Sequence, residues 1–121
     1  MESLPCRNLA IHMSEFVDYL TEVFEPFGQI RSRRMFGGHG LYYDGIMFGL
    51  VADDTLYLKA DKDSQAFFTD RGLGPFEYNK AGKTVKMSYY LAPEEIFDDP
   101  EAATLWARRA WEAAYRAKKT G

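Results

Sequence analysis

Cys6, His12 and His39 are the only cysteine and histidines among the 121 residues, so the chain offers three nitrogen or sulfur donors for a metal. They share no recognised ligand spacing, and no metal site is expected from them. A serine or cysteine nucleophile needs a base held beside it, and no motif brings either histidine to Cys6, Ser64 or Ser88. The acid pairs Asp53-Asp54 and Asp98-Asp99 could mimic the two carboxylates of a glycosidase. The first pair, however, falls in a predicted turn and the second at a predicted helix start, where short carboxylate side chains have structural work. Ala81-Gly82-Lys83-Thr84 ends like a phosphate-binding loop, but that loop needs a glycine where Glu77 stands, and it must open a helix. Here the segment joins two strands. Gly37-Gly38-His39-Gly40 lacks the spacing of a dinucleotide fingerprint and reads as a turn or bulge. No catalytic residue, cofactor or metal is therefore expected.

The remaining candidates are contact residues. Arg31, Arg33 and Arg34 crowd one predicted strand, and Lys80, Lys83 and Lys86 crowd a later hairpin. If the two groups share a face they can hold phosphates, with Tyr89 or Tyr90 for stacking. The structural alternative is a charged sheet face paired with nearby acids, with Arg34 as an internal ion-pair partner on the strand side of Ile30 and Ser32. Trp106 and Trp111 lie five positions apart, about 140° around a helix, so a narrow buried stripe cannot hold both. A partly covered Trp111 with Tyr115 is a candidate protein contact.

These residues need a scaffold, and the composition supplies one. A length of 121 residues fits one domain, and 46% apolar with 27% charged residues is that of a folded globular chain. A net charge of −3 argues against a phosphate-binding surface over the whole molecule but permits a local basic patch. A lone cysteine cannot form an intramolecular disulfide, and the first residues have neither the basic start nor the apolar run of a signal peptide, so a cytoplasmic address is expected. The longest apolar run, Ile46 to Ala52, is far too short to span a bilayer.

Phe16, Leu20, Val23, Phe24 and Phe27 recur at helical spacing between a Ser14 cap and a Gly28 stop, with Glu15, Asp18, Glu22 and Glu25 on the other side. From Ile30 the pattern alternates. Strands are predicted over Ile30–Phe36, Leu41–Tyr43, Ile46–Val51 and Leu56–Ala60, broken by Gly37–Gly40, Asp44-Gly45 and Asp53-Asp54. A short helix follows over Asp61–Arg71, stopped by Gly72, and then a hairpin of Phe76–Asn79 and Thr84–Leu91. After a helical turn at Glu94–Phe97, Asp99-Pro100-Glu101 opens a last helix running to about Lys118, with Ala103, Trp106, Ala110, Ala113 and Ala117 at core spacing. The expected fold is α+β in two layers, an antiparallel meander sheet of five or six strands covered by helices in the order α-β-β-β-β-α-β-β-α. Residues 1–13 read as an extension, 14–118 as the domain and 119–121 as a tail.

Arg33-Arg34-Met35-Phe36-Gly37-Gly38-His39-Gly40-Leu41-Tyr42, then Asp44-Gly45-x-Met47-Phe48, Leu56-Tyr57-Leu58-Lys59 and Met87-Ser88-Tyr89-Tyr90, resemble the N-terminal domain family of TfoX/Sxy, bacterial competence regulators. The resemblance spans roughly Ser14 to Trp111. It implies an α+β domain with an antiparallel sheet covered by helices, and a part in transcriptional control of DNA uptake alongside the cyclic-AMP receptor protein. Full-length regulators add a C-terminal domain, which a chain of this length is not expected to include. The family supplies motif positions Arg33, Arg34, Met35, Phe36, Gly37 and Gly38 and no catalytic residues. The leading expectation is a non-enzymatic regulatory module acting through protein contacts, with a homodimer as one form, and without membrane attachment. The alternatives are direct nucleic-acid binding through Arg31, Arg33, Arg34, Lys80, Lys83 and Lys86, or a small-ligand site built on the tyrosine-rich sheet and His39.

Overall fold

The computed structural model describes residues 9–35 and 37–120, and the side chains of 15–35 and 37–119. Helix α1 (Leu9–Val23) leads into strands β1 (Arg31–Met35), β2 (Gly38–Tyr43), β3 (Ile46–Ala52) and β4 (Thr55–Lys59). A short α2 (Gln65–Thr69), strands β5 (Pro75–Lys80) and β6 (Lys83–Leu91), a 3₁₀ turn over Glu94–Phe97 and helix α3 (Pro100–Thr120) complete the chain. The helix before the sheet starts five residues ahead of Ser14, which lies inside α1 and does not cap it. Its far end comes at Val23, earlier than the Gly28 stop expected, and a turn over residues 24–27 carries the chain to Gly28, whose N–H donates to the Phe24 carbonyl at 3.0 Å.

All neighbouring strands are antiparallel, in the order β1-β2-β3-β4-β6-β5. The first four form a meander because their turns are too short for any other connection. Asp44 and Gly45 have φ of 53° and 77°, and Asp53 and Asp54 have φ of 54° and 55°. Two consecutive left-handed residues make the turn that matches strand twist. Ala81 and Gly82 repeat this geometry at 53° and 81°, with Lys80 opposite Lys83, so the loop that ends like a phosphate cradle is a hairpin tip. β5 takes the far edge and β6 returns beside β4, which leaves β1 and β5 as the two edges.

The glycine run is less of a turn than its composition predicts. Only Gly37 (φ 79°) lies outside the strands, and Gly38 and Gly40 are already within β2. Close packing is the reason. A Cβ on Gly38 would stand 2.2 Å from the Val51 carbonyl oxygen, and one on Gly40 would stand 3.0 Å from the sulfurs of both Met35 and Met47.

Every helix packs on one face of the sheet. Leu20 of α1, Phe24 in the turn that follows it, Phe68 of α2, Ile96 of the 3₁₀ turn and Trp106 and Ala110 of α3 meet Leu41, Phe48, Val51, Leu56 and Leu58 in one core. Phe24 meets Phe48 edge to face at 5.8 Å between ring centres, and Phe68 meets Trp106 at 5.1 Å. Phe48 joins this face through a bulge, because β2 pairs Leu41 with Gly49 and then Tyr42 with Met47. Glu15, Asp18, Glu22 and Glu25 are all exposed, as their stripe requires. On α3 the buried alanines are Ala103, Ala107, Ala110, Ala113 and Ala114. Ala117 is exposed, one turn past the stripe.

Candidate functional site

Strand alternation sends the intervening side chains to the opposite face of the sheet, where no helix packs among the described residues. Read through the register, that face carries Arg31, Arg33 and Met35 from β1, Gly40 and Tyr42 from β2, and Met47 and Leu50 from β3. Tyr57 and Lys59 follow from β4, then Val85, Met87, Tyr89 and Leu91 from β6, and Tyr78 and Lys80 from β5, with Lys83 at the hairpin tip. Phe76 joins them, its ring meeting Tyr57 edge to face at 5.1 Å and stacking with Tyr78 at 6.3 Å.

The rings shield one another and still leave area in contact with water. Leu50 and Tyr89 are 8% and 9% exposed, whereas Tyr78 is 40% and Leu91 37% exposed. Cations lie against the rings: the Arg33 guanidinium is 5.8 Å from the Tyr42 centroid and the Lys59 ammonium 5.2 Å from that of Tyr89. Lys59 Nζ also donates to Ser88 Oγ at 2.6 Å. Burial pulls the Lys59 pKa below its ordinary value, partly offset by the negative charge of Asp61. Burial, assisted by Tyr42, pushes the Tyr89 phenol up to about 12, so this ring is uncharged at neutral pH. At the β1 edge a cleft of about 690 Å³ opens between Gln29, Arg31, Ser32, Arg33, Tyr42, Asp44 and Gly45.

The six basic candidates are divided by the fold. Arg31, Arg33, Lys80 and Lys83 fall on the open face, and Arg34 and Lys86 on the other. The arginines on β1 and the lysines on β6 and β5 occupy opposite margins, four to five strand spacings or about 19–24 Å apart. Arg34 is exposed and is not an internal ion-pair partner, because no helix covers the helix-side surface of the edge strand β1. The two tyrosines expected for stacking also separate: Tyr89 faces outward, and Tyr90 packs on Phe68 in the helix layer at 5.5 Å. Tyr42, Tyr57, Phe76 and Tyr78 were not singled out by spacing. Alternation within each strand carries the signal, but the strand order is needed to assemble them.

Of the family motif, Arg33, Arg34 and Met35 lie in β1, Gly37 in the turn and Gly38 in β2, while Phe36 is outside the described residues. Cys6 and the His12 side chain are outside them as well. His39 lies opposite Arg34 and Val51, half-buried on the helix side, and its Nδ1 is buried without a partner among the described residues. Those residues contain no group of three His, Cys, Asp or Glu side chains able to hold a metal ion, and no helix long and apolar enough to cross a membrane. Asp53 and Asp54 form a turn, and Asp99 caps α3, its Oδ1 accepting the Glu101 N–H at 3.0 Å.

Trp106 is 3% exposed, whereas Trp111 is half-buried. The Trp111 indole donates to the Tyr43 carbonyl at 2.8 Å and its ring stacks on Tyr115 at 5.3 Å. Tyr115 is 43% exposed and is the accessible member of this pair. At the partly exposed end of the helix layer, Arg116 grips Asp61 through Nε and Nη2 at 2.7 and 3.1 Å. With the Ser64 hydroxyl and N–H also donating to Asp61, the Asp61 carboxyl is held down to about 2. Arg71 similarly pairs with Glu95, which also accepts from the Trp106 indole at 3.4 Å.

The architecture is a two-layer α+β domain, a six-stranded antiparallel sheet with its helices on one side and, among the described residues, an aromatic and cationic face on the other. The chain belongs to the TfoX N-terminal domain family, whose model matches residues 22–114. It is 30% identical over 95 residues to the DNA transformation protein TfoX1 of Aliivibrio fischeri (strain ATCC 700601 / ES114), covering 78% of this chain and 45% of that protein. To Protein Sxy of Escherichia coli (strain K12) it is 27% identical over 99 residues, covering 82% of this chain and 47% of that protein. The chain thus spans about half the length of the curated relatives it matches.

Proposed function

We propose that this chain is a non-enzymatic interaction module in the regulation of bacterial DNA uptake, working in the cytoplasm. The observation that carries the reading is the family match over residues 22–114, together with likeness to a DNA transformation protein across more than three-quarters of this chain. The geometry supports it: Asp53 and Asp54 serve a turn, Asp99 caps a helix, and exposed aromatic side chains remain for contact. On the helix layer Tyr115 is an accessible contact, with Trp111 fixed beneath it by the hydrogen bond to Tyr43. The partner on this side is a protein or a second copy of the chain.

The test is genetic. Deleting the gene in its own host is expected to lower transformation frequency and the transcripts of DNA-uptake genes, with recovery on re-supplying the wild-type chain and weaker recovery with Tyr115→Ala. Unchanged transformation and transcripts after deletion, under conditions in which the host takes up DNA, would overturn the reading.

A further inference from the structure

We infer that the open face of the sheet is a platform for single-stranded nucleic acid, a role separate from the protein contact proposed at Tyr115. The first ground is charge segregation. The chain has 18 acidic residues and a net charge of −3, yet none of the strand positions assigned above to the open face is acidic, and five of them are Arg or Lys. Asp44 stands at the rim of the cleft beside Arg31 and Arg33 and is the nearest acid identified there. A negative molecule that gathers positive charge on one sheet face complements an anionic partner.

The second ground is the rings. Tyr42, Tyr57, Phe76 and Tyr78 form a discontinuous row across a sheet about 24 Å wide, with Arg33 against one end and Lys80 and Lys83 beyond the other. Aromatic side chains between cations are what an unpaired strand needs, since each base offers a flat face for stacking and each phosphate a charge for pairing. A duplex hides its base faces and would use the cations alone.

The experiment is fluorescence anisotropy of the whole chain with labelled oligothymidylate of about 20 nucleotides, and with a duplex of equal length, from about 50 to 200 mM salt. Oligothymidylate is expected to bind more tightly than duplex, with the log of affinity falling by about 0.7 for each phosphate neutralised per log of salt. Tyr78→Ala, at an exposed ring, is expected to weaken binding about fivefold or more while the circular dichroism is unchanged. Arg33→Ala and Lys83→Ala are each expected to flatten the salt slope by about 0.7. No binding at the lowest salt, equal affinity for duplex, or indifference to all three variants would overturn the proposal. So would a dimer in sedimentation that Tyr78→Ala dissociates, in a chain that binds no oligonucleotide, because the face would then belong to a second copy. Failure on any of these arms leaves the transformation test standing.

Discussion

Replacing Asp61 with Asn tests whether the contact between the end of β4 and the last helix is an electrostatic clamp. Asp61 accepts from Arg116 across 55 positions of sequence and from Ser64 at the entrance to α2, so one carboxylate ties three elements together. Its fall from an ordinary 3.8 to about 2 corresponds to about 2.5 kcal/mol at about 1.4 kcal/mol per pKa unit. The side chains of Asp61 and Arg116 are 21% and 42% exposed, and solvent screening reduces the expected figure to about 1 kcal/mol. A carboxylate whose pKa is lower in the folded than in the unfolded state stabilises the fold fully above 3.8, and that contribution disappears as pH falls toward 2. Urea unfolding at neutral pH should therefore find Asp61→Asn less stable by about 1 kcal/mol, with the two proteins converging as the pH approaches 2. A difference that stays constant across this window, or no difference at neutral pH, would refute the reasoning.

Four further outcomes are expected. Gly38→Ala forces a methyl into the Val51 carbonyl, which backbone cannot yield cheaply, and should destabilise by about 1–3 kcal/mol, seen as a lowered melting temperature. Phe24→Ala, which empties a fully buried ring site against Phe48, should cost about 3–5 kcal/mol in chemical denaturation. Trp111→Phe keeps most of the packing and loses the hydrogen bond to Tyr43, a loss of about 1 kcal/mol in the same assay. Tyr89, with its phenol at about 12 against an ordinary 10.0, should form its tyrosinate near pH 12 in an ultraviolet titration, a signal that Tyr89→Phe removes. The unfolded chain releases that proton first, so stability should fall between pH 10 and 12 in the wild type, and Tyr89→Phe should lack this contribution.

Much of the fold was legible because its signals are local. The i, i+4 spacing of Leu20 and Phe24 marked the buried side of α1 and the turn after it, and Asp44-Gly45 marked a two-residue turn. Alternation placed Val85, Met87, Tyr89 and Leu91 together on β6, and the angular separation of the two tryptophans left open a helix buried on two sides or one half-covered ring, of which the structure shows the second. What stayed hidden was non-local. Nothing in the β5–β6 hairpin states that β6 will dock on β4, and without that order Tyr57 and Phe76 cannot be seen as neighbours. Arg34 has the same alternation as a core-facing residue and is exposed only because its strand is an edge. The glycine run suggests a turn by composition, whereas Gly38 answers to a carbonyl 13 positions later in the chain.

The position of β1 has one more consequence. Among the described residues it hydrogen-bonds to β2 on one side only, and its other flank offers amides and carbonyls on which a foreign strand could crystallise in register. Three of its five side chains are arginines, and their mutual repulsion guards that flank against fibre growth. Salt that mutes this repulsion should shorten the lag before aggregation, and trading the arginines for valine should let the chain seed itself.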